Sequence, residues 1–266
     1  MARFICQILW ILLLGMAPAK AEILTSISSA SIDDPKSFWR AAMEEFYGRY
    51  DNGRKCWVAG GASEPLCMRP HLLSSVVENG VQTLYVAMAG YAMTPQGGRA
   101  DCHACGGKLG LVVLRPQGDR LALVASNSLS ADVGSWGHVP SEDAFRVVPL
   151  GNNNHGWLMA FAYTGQGYTE GNVTVFGLLG DRIADLGAIP THSDNAGTCG
   201  DGMGTCYSHI YEVFTDPVPG SGLFGDLLVR KVESTNPNAP GSFRVRFSSE
   251  ELKYAAPESL DAAMGQ

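Results

Sequence analysis

The sequence predicts a mainly β protein of antiparallel meanders, arranged as propeller-like repeat units or a sandwich, with one N-terminal α-helix. Three observations lead to that class. Runs rich in Val, Leu, Ile and Phe recur roughly every ten residues from position 72 onward, separated by Gly, Asn and Asp turns. Only 35–50 carries a convincing helical apolar period. Gly118-Asp119-Arg120-Leu121-Ala122 and Gly180-Asp181-Arg182-Ile183-Ala184 match closely, 62 positions apart, each preceded by a strand, a turn, a strand and a glycine-rich loop.

Residues 1–21 read as a secretory signal. Arg3 supplies positive charge, 4–16 is an apolar run, and Ala19-Lys20-Ala21 is a small-residue cleavage site, so a mature start at Glu22 is expected. The run is too short to span a bilayer comfortably, and no later run reaches about eighteen apolar residues. The expectation is a bacterial envelope protein, periplasmic or secreted, with no stable membrane insertion after cleavage.

Residues 22–32 are small and polar, and are expected to be extended or unstructured. In the helix at 35–50, Asp34 can cap the first turn and Pro35 suits its geometry. Phe38, Trp39, Ala42, Met43, Phe46, Tyr47 and Tyr50 recur at three- and four-residue steps, while Lys36, Arg40, Glu44 and Arg49 fall opposite. The aromatic face should therefore dock on a sheet. Hairpins are expected from 72–77 with 82–91, 109–115 with 120–126, 145–150 with 156–163, and 172–179 with 182–189. A degraded third unit is expected at 207–247. All these elements belong to one domain, 22–254, and the unpatterned residues 255–266 are expected to form a flexible tail.

Six cysteines follow the leader, in the local pairs Cys56 and Cys67, Cys102 and Cys105, Cys199 and Cys206. Six thiols allow fifteen connectivities. Export places them where disulfides persist, and local pairing is the expected pattern. The chain carries 19 basic and 26 acidic residues, and loss of Arg3 and Lys20 with the leader would take its net charge from −7 to about −9. No stretch of sequence is rich in Lys or Arg. Nucleic acid and anionic lipid, which need a positive face, are therefore not expected as partners.

Three loops could carry chemistry. Asp101-Cys102-His103-Ala104-Cys105-Gly106-Gly107 can be a redox pair, half a zinc site or a structural disulfide. Redox use favours a helix N-terminus at the first thiol, but glycines and a strand follow here, so the structural reading is preferred. The loop from His192 through Asp194, Asn195 and Cys199 to Asp201 is oxygen-rich in the way calcium favours, yet it lacks the spacing and Glu of an EF-hand. A polar loop held by a disulfide is the preferred reading, with no cofactor expected. Ser135-Trp136-Gly137-His138 offers either a ligand-binding rim or a buried Trp136 closing the end of a sheet, and burial is preferred.

No G-x-S-x-G, S-x-x-K or H-E-x-x-H motif occurs, and no glycine-rich loop joins a strand to a helix. The expectation is a non-enzymatic, protein-binding module of the inhibitor or immunity type, directed at an envelope hydrolase or toxin. Its candidate binding loops carry Trp136, His138, His192, Asp194, Asn195 and Asp201. The alternative is a secreted hydrolase with a loop-borne active site around His138, His192 and Asp194.

Overall fold

The computed structural model describes residues 23–60, 64–100, 102–127, 129, 131–152, 154–200, 204–216 and 223–264. The leader reading on 1–21 lies outside them. The described chain is mainly β, and nearly all its strands join one continuous sheet that bends into three meanders. Among the described residues, no helix is long and apolar enough to cross a membrane.

The first meander contains β2 (Arg49–Asp51), β3 (Cys56–Ala59), β4 (Leu66–Glu78), β5 (Val81–Ala92), β6 (Gly107–Gln117) and β7 (Arg120–Ser126), paired antiparallel in chain order. β1 (Ile23–Ser28) closes its far edge on β7, and β8 (Ala131–Val133) adds to β6. The second meander is β9 (Phe145–Gly151), β10 (Asn154–Gly165), β11 (Tyr168–Leu179) and β12 (Arg182–Asp194). The third is β13 (Ser208–Asp216), β14 (Asp226–Ser234) and β15 (Ser242–Val245). β12 meets β13 only across 192–194, and meets β7 through one parallel bridge, Arg182 with Ser126. The two matching pentapeptides thus fill equivalent places, each forming the turn into the last strand of its meander.

Side chains alternate across a strand, and that period of two explains how the meanders stack. Leu84, Val86 and Met88 of β5 face one core, together with Val112 and Leu114 of β6. Tyr85 and Ala87, with Leu109, Leu111 and Val113, face a second core, where they meet Trp157, Met159, Phe176 and Ile183 of the second meander. The reverse face of that meander, with Leu158, Val173, Val175, Leu186 and Ile189, packs on Tyr211, Val213, Leu227, Val229 and Phe243 of the third. The result is an open stack of three sheets.

α1 (Pro35–Tyr47) covers the outer face of the first sheet. Asp34 Oδ1 accepts from Lys36 N, and Pro35 opens the helix, as the sequence predicts. Phe38, Ala42, Met43 and Tyr47 are fully or almost fully buried. Burial of each large apolar side chain is worth about 2 kcal/mol. The expected boundary at 50 is corrected. Gly48, at φ 80°, ends the helix, and Tyr50 lies on β2 beside Trp57 rather than on the docking face.

Two other expectations are sharpened or revised: of the two alternatives for 22–32, the extended one holds over 23–28. Residues 23–28 are a paired strand, with Thr25 Oγ1 donating to Leu121 O at 2.7 Å. The segment expected to form a flexible tail, 255–266, contains a second helix, and a short hairpin precedes it. β16 (Phe247–Ser248) pairs with β17 (Lys253–Tyr254), and α2 (Glu258–Met264) follows. Leu260 and Met264 of α2 enter the core between the second and third sheets. Two apolar residues four apart make one buried turn, too short to show as a period.

Candidate binding rim

The ends of the stack differ in their connections. One end carries tight turns at Asn79-Gly80, Gly118-Asp119 and Gly180-Asp181. The other carries the connections 93–106 and 195–207 and all three disulfides, Cys56–Cys67, Cys102–Cys105 and Cys199–Cys206. Every described loop residue singled out from the sequence lies at this second end. Asp201 falls outside the described residues.

Trp136 is not buried. It is 49% exposed, which corrects the preferred reading of a Trp closing the sheet. Ser135 and His138 form an isolated antiparallel bridge, with His138 N donating to Ser135 O at 2.9 Å. The residues between them, Trp136 and Gly137, have φ of 54° and 67°. That is the arrangement of a type I′ turn, whose first central position favours Asn, Asp or Gly. A bulky aromatic there costs about 1 kcal/mol or more of backbone strain. Surrounding contacts hold the turn. Gly137 N donates to Cys105 O at 2.8 Å, and a Cβ at Gly137 would lie 2.4 Å from Ala100 O.

The Trp136 ring packs edge-on against His103, with centroids 4.8 Å apart. His103 in turn meets Tyr163 of β10, whose hydroxyl lies 2.6 Å from His103 Nε2. His138 takes a different partner, its Nδ1 lying 3.3 Å from Arg99 Nη1. The Cys102–Cys105 staple therefore fixes the backing of an exposed indole. β6 begins at Gly107, so the disulfide is followed by a strand, as expected.

Tyr163 pairs with Glu170 on β11, and Glu170 with Ser193 on β12, which carries the rim to the second predicted loop. There His192 Nε2 lies 3.0 Å from Asp194 Oδ2. Asp194 Oδ1 accepts from Ala196 N at 3.0 Å, while Asn195 Oδ1 accepts from Tyr207 N and its Nδ2 donates to Thr205 O. Gly197 N donates to Gly167 O at 3.0 Å. These polar groups brace the loop that Cys199–Cys206 closes. Among the described residues, no cluster of three or more His, Cys, Asp or Glu is placed to hold a metal. A cleft of about 370 Å³ lies beside His192, with Glu170, Asp261 and Met264 in its wall.

No family model, curated protein or solved structure matches the chain. What the rim can do must come from its own geometry. It offers rigid aromatic and polar contact area rather than a deep cavity.

Three groupings escaped sequence reasoning. Tyr163 lies 60 positions from His103, and no local signal links them. Glu78, at the tight-turn end, joins residues from the first and second meanders. It accepts from Tyr85 Oη and Arg115 Nη2, and its Oε1 lies 2.8 Å from His155 Nδ1. Burial pushes this carboxyl up, but the hydrogen bonds from His155, Tyr85, Arg115 and Thr83 outweigh it and bring it down to about 2. The third is a group of cations brought together around α1, although no stretch of sequence is rich in them.

Proposed function

We propose that the protein is an exported envelope component that binds another protein through the disulfide-braced rim around Trp136. The observation that carries this reading is the exposed Trp136 at positive φ, a position where local preference favours Asn. Strain retained at an exposed aromatic is a mark of function. Rigidly backed tryptophans are also typical binding hot spots, because little side-chain entropy is lost on docking. Three disulfides favour an oxidising compartment, periplasmic or extracellular. The net charge of −7 would steer a basic partner, such as a lysozyme-like hydrolase or a cationic toxin, towards the protein. Inhibition or neutralisation of such a partner is the role this reading assigns.

The test is capture from envelope extract by the oxidised chain and by Trp136→Ala, followed by assay of the captured hydrolase or toxin. The reading expects a partner held by the first and released by the second, with its activity suppressed on binding. Capture that survives Trp136→Ala unchanged would overturn it.

His192, paired with Asp194 beside the 370 Å³ cleft, favours a second reading, a hydrolase with a loop-borne site. Turnover in an esterase, protease and glycosidase screen, abolished by His192→Ala in a folded protein, would establish that reading instead.

A further inference from the structure

A second recess lies away from the rim. A groove of about 650 Å³ runs between α1 and β2–β4. Lys36, Trp39, Arg40 and Glu44 face it from the helix, at steps of three, one and four residues that place them on a single face. Lys55, in the turn before β3, and Arg69, on β4, complete the charged wall. Four cations thus meet one carboxylate in a protein with a net charge of −7.

The cations are not spent on internal ion pairs. Among the described residues, no ion pair is found for Arg40, Lys55 or Arg69. Arg69 is positioned by backbone and by an aromatic face: its Nε donates to Lys55 O and its Nη2 to Arg54 O, both at 3.1 Å, and its guanidinium lies 5.8 Å from the centroid of the Tyr91 ring. Its guanidinium is therefore held in place without being neutralised. The apolar walls are rings. Tyr50 packs edge-on against Trp57 with centroids 4.7 Å apart, and Trp39 is backed by Phe38 at 5.5 Å. The volume is that of a small-molecule site rather than a protein interface.

We infer that this groove binds a small organic anion carrying a ring, with the ring against Trp39 and Trp57 and the acid group facing Arg40, Lys55 and Arg69. Two sources share that chemistry: an acidic oligosaccharide, whose sugar rings stack on indoles, and an aromatic carboxylate. Charge selects the anion, since a neutral ring leaves Arg40, Lys55 and Arg69 without a counter-charge. The aromatics select against bare phosphate or sulfate, which would leave the ring walls uncovered.

The test uses the oxidised full chain and its intrinsic tryptophan fluorescence. Trigalacturonate, neutral maltotriose, 1-naphthoate and inorganic phosphate are titrated separately at low and high salt. Either ring-bearing anion should shift the emission saturably, and whichever one does so identifies the source. The affinity should fall as salt rises from about 50 to about 500 mM, where charge screening becomes short-ranged. Arg40→Glu with Lys55→Glu, both at exposed positions, should weaken binding by about tenfold or more, the scale of two lost surface charge contacts. The variant's unchanged melting midpoint would establish that it folds.

Failure of both ring-bearing anions to bind would overturn the inference. So would equal binding of maltotriose, or binding indifferent to the double substitution. The Trp136 rim is untouched by these variants, so partner capture there stands or falls separately.

Discussion

At the scale of single residues, the groups that matter most are those whose surroundings contradict their chemistry. Glu78 is a carboxylate with a side chain only 3% exposed, yet it stays ionised because two sheets bring it an imidazole, a phenol and a guanidinium. Glu78→Gln should cost about 3 kcal/mol, the usual penalty for removing one partner of a buried charge cluster, measured by chemical denaturation at pH 7. The pH dependence has a definite sign. The folded carboxyl titrates at about 2, below its usual 4.5, so its contribution is complete above pH 4.5 and is lost as pH falls towards 2. Stability of the native protein should drop across that window, and Glu78→Gln should flatten the drop. Trp136 is the second such residue. Trp136→Asn should leave the melting midpoint unchanged or raise it, because Asn suits positive φ, while abolishing partner capture. A fall in midpoint would mean that the indole serves the fold instead. Neither residue was legible alone. The sequence around Trp136 carried the motif but not its exposure, and Glu78 draws its partners from as far as 77 positions away.

At the scale of elements, the docking of α1 depends on a missing side chain. A Cβ on Gly110 of β6 would lie 1.9 Å from Tyr47 Oη, which donates to Leu129 O at 2.9 Å. Burial pushes the Tyr47 phenol well above its ordinary value, so it remains a donor at any working pH. Gly110→Ala should therefore displace the last turn of the helix and cost about 2 kcal/mol by overpacking, read as a lower thermal midpoint. Most elements were legible because their signals are local. Apolar runs broken by Gly, Asn and Asp turns marked the strand pairs, and Asp34-Pro35 marked the helix start. The helix end was misplaced because Tyr50 continues the apolar period past Gly48, where the backbone has already turned. α2 was missed because its anchoring is tertiary: Leu260 and Met264 acquire meaning only in the core between the second and third sheets.

At the scale of the whole molecule, the stack separates its duties between two ends. Tight turns and the Glu78 cluster secure one end, while covalent staples secure the long loops at the other. Reduction of the three disulfides should lower the melting midpoint, since each short loop contributes about 2–3 kcal/mol on the entropy account. Limited proteolysis after reduction should cut first within 94–106 and 195–207, with the strands of the central sheet cut last. Cuts appearing first at the tight-turn end would contradict this division. The collection of loops at one end could be inferred from strand order, but the cationic groove could not. Its charges come from a helix, a turn and a strand that are dilute in sequence and concentrated only by folding. The placement of β1 carries one more consequence. Ile23 pairs with Leu123, and Arg120 Nη1 donates to Ser26 O, so the opening strand finds its partner about a hundred residues downstream. As the chain emerges from the ribosome, that segment is born long before the surface it completes. Until β7 is in place β1 has no strand to pair with, so this edge of the first meander closes only after the hairpin of β6 and β7 has formed.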